Sequence, residues 1–302
     1  MADKDILYRN LNEGIILERR RIFEKNLGKN LHLIEKHGGL KSAIPFFNAK
    51  NVIVIGAGPS LEKNCELIRK YQHRHEILLV STDMALRPLV KSGIRPYFVI
   101  SCETNPVGFF HGIDTSGMHL LAFSCMSNIN LRQWRGKISF YNWMHSAPEF
   151  SRLWDIAGKE LGFVPTGGIV TTQAVSIALG CGIASLILVG NDLAFGSGFY
   201  SRGSVWHCGI YNRLYRCVNP ESEEINISRR RRGYEIRRGN RVFYTDNQFY
   251  AAKTWLEELF QKEKKAVYDC SDPGCSEKYV EKKSLIEVIH TIINTRRKRR
   301  SR

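Results

Sequence analysis

No stretch of this chain reaches about 18 uninterrupted apolar residues, so no membrane span is expected. The first ten residues, MADKDILYRN, lack a basic patch running into an apolar core. No secretory leader is therefore expected, and the expected location is cytoplasmic. No Cys-x-x-Cys pair occurs among the eight cysteines, which are scattered and often sit inside apolar runs. That is the usage of free thiols in a reduced compartment. The CSDPGC pair, even with His207 and Cys208, lacks zinc-site spacing, so no metal centre is expected. Internal repeats and low-complexity linkers are missing as well. The 302 residues are thus expected to build one large core with small appendages.

Acidic residues are scarce: 29 Asp and Glu stand against 45 Lys and Arg, a net charge of +16. Much of the excess lies in two clusters, RRRRGYEIRRGNR (Arg229 to Arg241) and the final RRKRRSR (Arg296 to Arg302). Such clusters favour anionic partners. The first is interleaved with Tyr234, Ile236 and Val242 at near-alternating spacing, which predicts a cationic hairpin. No nucleic-acid motif accompanies it, which argues against a nucleic-acid partner.

Residues 5 to about 45 carry apolar side chains at helical intervals, among them Ile15, Ile22, Phe23, Leu27, Leu31 and Ile34. They predict a helical arm over residues 1–47. From residue 50 strands and helices alternate. NVIVIG, EILLVST, YFVISCE, HLLAFSC, KISFYN, SLILVGND and AVYDCS read as strands, nearly all continuously apolar. That pattern predicts an α/β fold, a mostly parallel Rossmann-like sheet with helices on both faces, over residues 48–280. A long insertion rich in glycine and aromatics, residues 193–245, reads as a lid. Residues 281–302 read as a terminal helix and basic tail.

Ligands of open parallel sheets bind beyond the carboxyl ends of the strands. Those ends carry Gly56, Ala57, Gly58, Pro59 and Ser60 after the first strand and Ser81, Thr82 and Asp83 after the second. Glu103, Thr104 and Asn105 follow the third, and Gly190, Asn191 and Asp192 a later one; Pro165 to Gly168, PTGG, opens a helix. Small and polar residues thus gather on one edge from at least four places. The two glycines permit close approach, Ser60 can cap the following helix, and its N-terminal amides suit a phosphate. The turn is neither a phosphate loop nor a complete Gly-x-Gly-x-x-Gly fingerprint, because Leu61 holds the third glycine's place. Asp83, 25 residues beyond Gly58, stands where a carboxylate meets a ribose hydroxyl, or caps its own helix.

In order and spacing, VIGAGPSLEKN, STDMALRPLVKSGIRPYFVISCE, TGGIVTTQAVSIALGCGIASLILVGNDLAF and FYAAKTWLEELFQ resemble one family. It unites 6-hydroxymethylpterin diphosphokinase MptE-like proteins with the Maf motility-accessory proteins, which are flagellin glycosyltransferase-like. The Gly-Pro-Ser turn and Gly-x-Asp strand end are also similar to bacterial sialyltransferases that use CMP-sugar donors. The resemblance implies a nucleotide seated at Gly56 to Leu61, with Asp83, Glu103, Gly167, Gly168, Asn191 and Asp192 lining the cleft. Thr104, Asn105, Thr166 and Gly190 adjoin it. Two activities compete: transfer of a nonulosonic sugar from a CMP donor to a hydroxyl on a protein such as flagellin, or transfer of diphosphate from ATP with Mg2+ to a pterin. A third reading is a non-catalytic polyanion-binding protein. The sialyltransferase-type histidine is missing from RVFYTDNQFY. His207 is then the candidate base, with Asp192 beside it as a catalytic candidate, and Arg213 and Arg216 the candidate phosphate or acceptor contacts.

Overall fold

In this computed structural model the backbone is described for residues 2–144, 148–195, 198–211 and 234–300, and side chains for 18–144, 150–195, 198–208 and 234–294. Arg213, Arg216, Arg229 to Arg232 and the basic tail's side chains lie outside the described residues. Within them no helix is long and apolar enough to cross a membrane.

The apolar runs form the strands β1 (Asn51–Ile55), β2 (Ile77–Thr82), β3 (Phe98–Ser101), β4 (His119–Phe123) and β5 (Lys137–Trp143). After them come β6 (Phe163–Val164) and β7 (Ser185–Val189), then β8 (Tyr234–Arg238) and β9 (Arg241–Thr245). The last are β10 (Ala266–Asp269) and β11 (Glu281–Lys282). Among the described residues nine of them make one parallel sheet in the order β11-β10-β7-β1-β2-β3-β4-β5-β6. β8 and β9 pair antiparallel, the hairpin that the alternating arginine segment predicts.

Each central strand is buried on both faces, which is why its sequence is continuously apolar rather than alternating. Along β1, Val52 and Val54 enter one core, while Ile53 and Ile55 enter the other. The first core takes Phe23 and Leu27 of the helix Ala2–His37, Ala174 and Val175 of the helix Val170–Gly180, and Leu256 of the helix Asn247–Lys262. The second takes Ile68 of the helix Cys65–Tyr71, Leu89 of the helix Asp83–Lys91, and Val288 and Ile289 of the helix Leu285–Arg300.

The N-terminal arm is one long helix, Ala2–His37, followed by a 3-10 turn, Leu40–Ser42, and a short helix, Ile44–Phe47, and the inner half of the long helix is a layer of the core. Phe23 meets Phe123 and Trp143 edge-on, each at 5.6 Å between ring centres, and is fully buried. Burying one such ring stabilises by roughly 1.5–3 kcal/mol. The two-residue strands β6 and β11 have no counterpart in the sequence reading, because two residues carry no period.

From β1 the chain steps outward through β2 to β6, then returns across the sheet to β7 on the other side of β1. Strand order therefore reverses between β1 and β7, and the crevice above their ends is where such sheets hold ligands. The register brings Ile55 level with Ser81 on one side and Val189 on the other, so the turns after all three strands meet.

Candidate functional site

Above the reversal point the Gly56–Leu61 turn is packed against Gly190–Asp192. A β-carbon added at Gly58 would sit 2.5 Å from the Asp192 carboxyl carbon and 2.8 Å from the Gly190 carbonyl oxygen. Gly190 has φ +66, and a β-carbon there would lie 2.9 Å from that of Leu61. The glycines are thus required by the approach of one strand end to another.

The amides of this turn are already engaged. Gly56 donates to the Val189 carbonyl at 2.9 Å and Gly58 to the Gly190 carbonyl at 2.7 Å. The Ser60 amide donates to Asp192 Oδ2 at 2.9 Å, and the Ser60 hydroxyl donates to Asp192 Oδ1. Two expectations are corrected here. Ser60 does not cap its helix, and the amides of Gly58 and Ser60 are not open to a phosphate. A carboxylate three residues past β7 holds the place an anion would take at these amides, and the segment after Gly58 starts as a 3-10 turn, Pro59–Asn64, ahead of the α-helix. Asp192 is buried, and desolvation raises its carboxyl to about 6 against the pull of Ser60. Both its oxygens serve the turn, so its observed role is to hold Gly58 to Leu61 in place. Asn191 is equally committed: its amide donates to the Val54 carbonyl at 2.8 Å and its oxygen accepts from Thr171 at 2.9 Å.

One strand over, Asp83 forms a second focus. It is 4% exposed, accepts from Ser101 Oγ at 2.6 Å and from the Met84 amide at 2.7 Å. Burial is the main cause that raises its carboxyl to about 7, and the nearby Glu103 charge adds to it. Cys102 lies beside it, receiving a hydrogen bond from Gln173 Nε2 at 3.3 Å. The same nitrogen reaches Thr166 Oγ1 at 3.2 Å, and Gln173 Oε1 accepts from the Tyr141 hydroxyl at 2.5 Å. Thr166 Oγ1 also accepts from the Gly168 amide at 3.2 Å, while the Gly167 amide donates to Thr172 at 2.8 Å. The PTGG turn and the β3 end therefore belong to one polar cluster, centred on Gln173. Gln173 and Tyr141 were missed from sequence because each sits in the middle of an element, a helix and a strand, and not at a strand end.

Glu103 caps its own loop through the Asn105 amide at 2.8 Å, and Thr104 and Asn105 give their carbonyls to Asn26 and Asn130, both at 2.9 Å. His207 lies elsewhere, in the helix Val205–Tyr211. Burial lowers its imidazole below the ordinary range, opposed by Glu62, and its other charged neighbours are Arg202 and Lys91. Lys91 ends the nine-residue helix that Asp83 begins, about 12 Å along its axis. His207 thus stands at the far end of that helix from Asp83. The preceding segment lies over the glycine turn, with the Ser201 amide bonded to the Ala57 carbonyl at 2.8 Å.

The sequence model of the family described as 6-hydroxymethylpterin diphosphokinase MptE-like matches residues 23–198, more than half of the chain. This chain belongs to the MptE-like family. The match contains the glycine turn, Asp83, Glu103, the PTGG turn and Asp192, and also Phe23, Asn26 and Asn30 of the first helix. No curated protein is significantly similar to this MptE-like chain in sequence. Among solved structures it is similar to the Maf glycosyltransferase from Magnetospirillum magneticum AMB-1, with TM-score 0.54 and 18% identity. The likeness covers 79% of this chain and 34% of that one, so this chain spans about a third of its neighbour's length. At that identity the shared property is the fold. Both descriptions are of transferases.

Proposed function

We propose that this MptE-like chain is a nucleotide-dependent transferase moving a nonulosonic sugar from a CMP donor to a hydroxyl acceptor. One observation carries the reading. Polar residues from the ends of β1, β2, β3 and β7 and from the PTGG turn line one edge of the sheet, at and beside the strand-order reversal, on the fold of a glycosyltransferase. The nucleotide then lies along the Asp83, Glu103 and PTGG side of the crevice, since the amides of Gly58 and Ser60 are bonded within the protein. In this reading Asp83 meets a ribose hydroxyl, and its near-neutral carboxyl lets it donate as well as accept. His207, held neutral by partial burial, is the base candidate if the segment 198–211 brings it towards an acceptor. Flagellin and other protein acceptors, and a cytoplasmic setting, belong to this proposal.

The family description favours a second reading, diphosphate transfer from ATP with Mg2+. Asp192, a carboxylate that could otherwise hold Mg2+, is committed to Ser60, which supports the sugar-transfer reading over it. Calorimetry separates the two. Metal-independent CMP binding is the expected result; binding of ATP alone, and only with Mg2+, refutes it. Retention on polyanions without any nucleotide uptake would leave the third reading, a binding protein.

A further inference from the structure

The first helix carries a polar stripe made of Arg19, Asn26 and Asn30. Asn30 donates to the Ser124 and Met126 carbonyls at 2.9 and 2.8 Å. Asn26, one turn earlier, donates to the Thr104 and Cys125 carbonyls at 2.9 and 3.1 Å. These four carbonyls lie just past the ends of β3 and β4, so the stripe clamps the helix onto the ligand-binding edge of the sheet. Arg19 is seven residues before Asn26, close to two full turns. It therefore stands on the same face, about 10 Å further along the axis and above that edge.

Arg19 is half-buried, and among the described residues its guanidinium makes one long hydrogen bond, 3.5 Å from Nη1 to Thr104 Oγ1. Among the described residues no carboxylate lies within ion-pair distance of it. Its charge is felt at the β3 end. Burial pushes the Cys102 thiol far above its ordinary range, Asp83 adds to that, and Arg19 pulls the other way. A half-buried guanidinium with no carboxylate partner among the described residues keeps most of its donors unengaged by them, in the planar fork that suits phosphate and carboxylate oxygens. β3 is two strands from β1, about 10 Å at the usual spacing, within the length of a nucleotide-linked sugar that starts at the reversal point.

We propose that Arg19 is an anion-binding residue of the cleft, contacting an oxyanion of the substrate: the nucleotide's phosphate or the carboxylate of the sugar it carries. The identity of that substrate rests on the sugar-transfer reading; the anion contact does not. The N-terminal helix is then a wall of the site as well as a layer of the core.

The test is calorimetric titration of the full chain with CMP, with CMP-sialic acid and with free sialic acid, for wild type, Arg19→Ala and Arg20→Ala. Arg20 is exposed and pairs with Glu24 at 3.1 Å, so its loss removes the same charge without touching the cleft. Arg19→Ala is expected to weaken binding by about tenfold or more, and Arg20→Ala to leave it unchanged, with thermal unfolding of all three alike. Weakened binding of CMP itself assigns the phosphate. Weakened binding only of the sialic acid compounds assigns the carboxylate, and either supports the proposal. Equal affinity of Arg19→Ala and wild type for every compound bound overturns it, as does equal weakening by Arg20→Ala. If wild type takes up none of the three, the sugar-transfer reading fails. The same comparison with ATP and inorganic pyrophosphate then decides Arg19: a selective loss sustains it, and equal or absent binding overturns it.

Discussion

Replacing Asp83 by Asn should make this protein more stable at alkaline pH while weakening the nucleotide binding proposed for it. Asp83 is buried, and its carboxyl is raised from its ordinary 3.8 to about 7, chiefly by desolvation. A carboxyl raised on folding contributes stability that is fully present below about pH 4 and is lost as pH rises to about 7. Three pH units of displacement amount to about 4 kcal/mol. Asn removes the titration at little structural cost. Its oxygen still accepts from the Met84 amide, and the Ser101 hydroxyl can turn to accept from the new amide. Urea unfolding of wild type and Asp83→Asn from pH 4 to pH 8 should therefore show the variant gaining about 4 kcal/mol on wild type across that range. A difference that stays flat with pH, or that moves the other way, refutes the burial argument. Retention of such a costly carboxylate is what a binding role would explain, and CMP affinity of the variant should fall accordingly.

Three further outcomes follow from the packing. Gly58→Ala, whose β-carbon would meet both Asp192 and the Gly190 carbonyl, should cost about 2 kcal/mol or more in urea unfolding. A midpoint equal to that of wild type would mean the two turns are not in contact. Lys282→Met strands the fully buried Asp269, its partner at 2.7 Å, and should cost about 3–5 kcal/mol, read as a lowered melting temperature. Asn30→Leu leaves the Ser124 and Met126 carbonyls unsatisfied, at about 2 kcal/mol, and should open the first helix to limited proteolysis. An unchanged digestion pattern would show that the clamp is dispensable.

The glycine turn shows how far residue patterns reach here. Gly56 and Gly58 announce a close approach, and the approach is real, but its partner is the Gly190–Asp192 strand end, from residues more than 130 positions away. A sequence cannot say which neighbour fills a glycine's empty side, since protein and phosphate both require the missing β-carbon. Ser60 repeats the lesson: a hydroxyl at a helix start suits a cap until a remote carboxylate claims it.

The sequence by itself determined the sheet and the edge at which its polar residues collect, because strands buried on both faces must be continuously apolar and their ends must turn. It likewise determined the arginine hairpin, through its period of two. Only the tertiary structure decided that β7 lies beside β1, that Asp192 is spent on Ser60 while Asp83 stays buried and unpaired by any cation among the described residues, and that Arg19 overlooks the β3 end. Those outcomes depend on contacts between residues far apart in the chain. Local propensity and period carry no information about such contacts until the strand order is known.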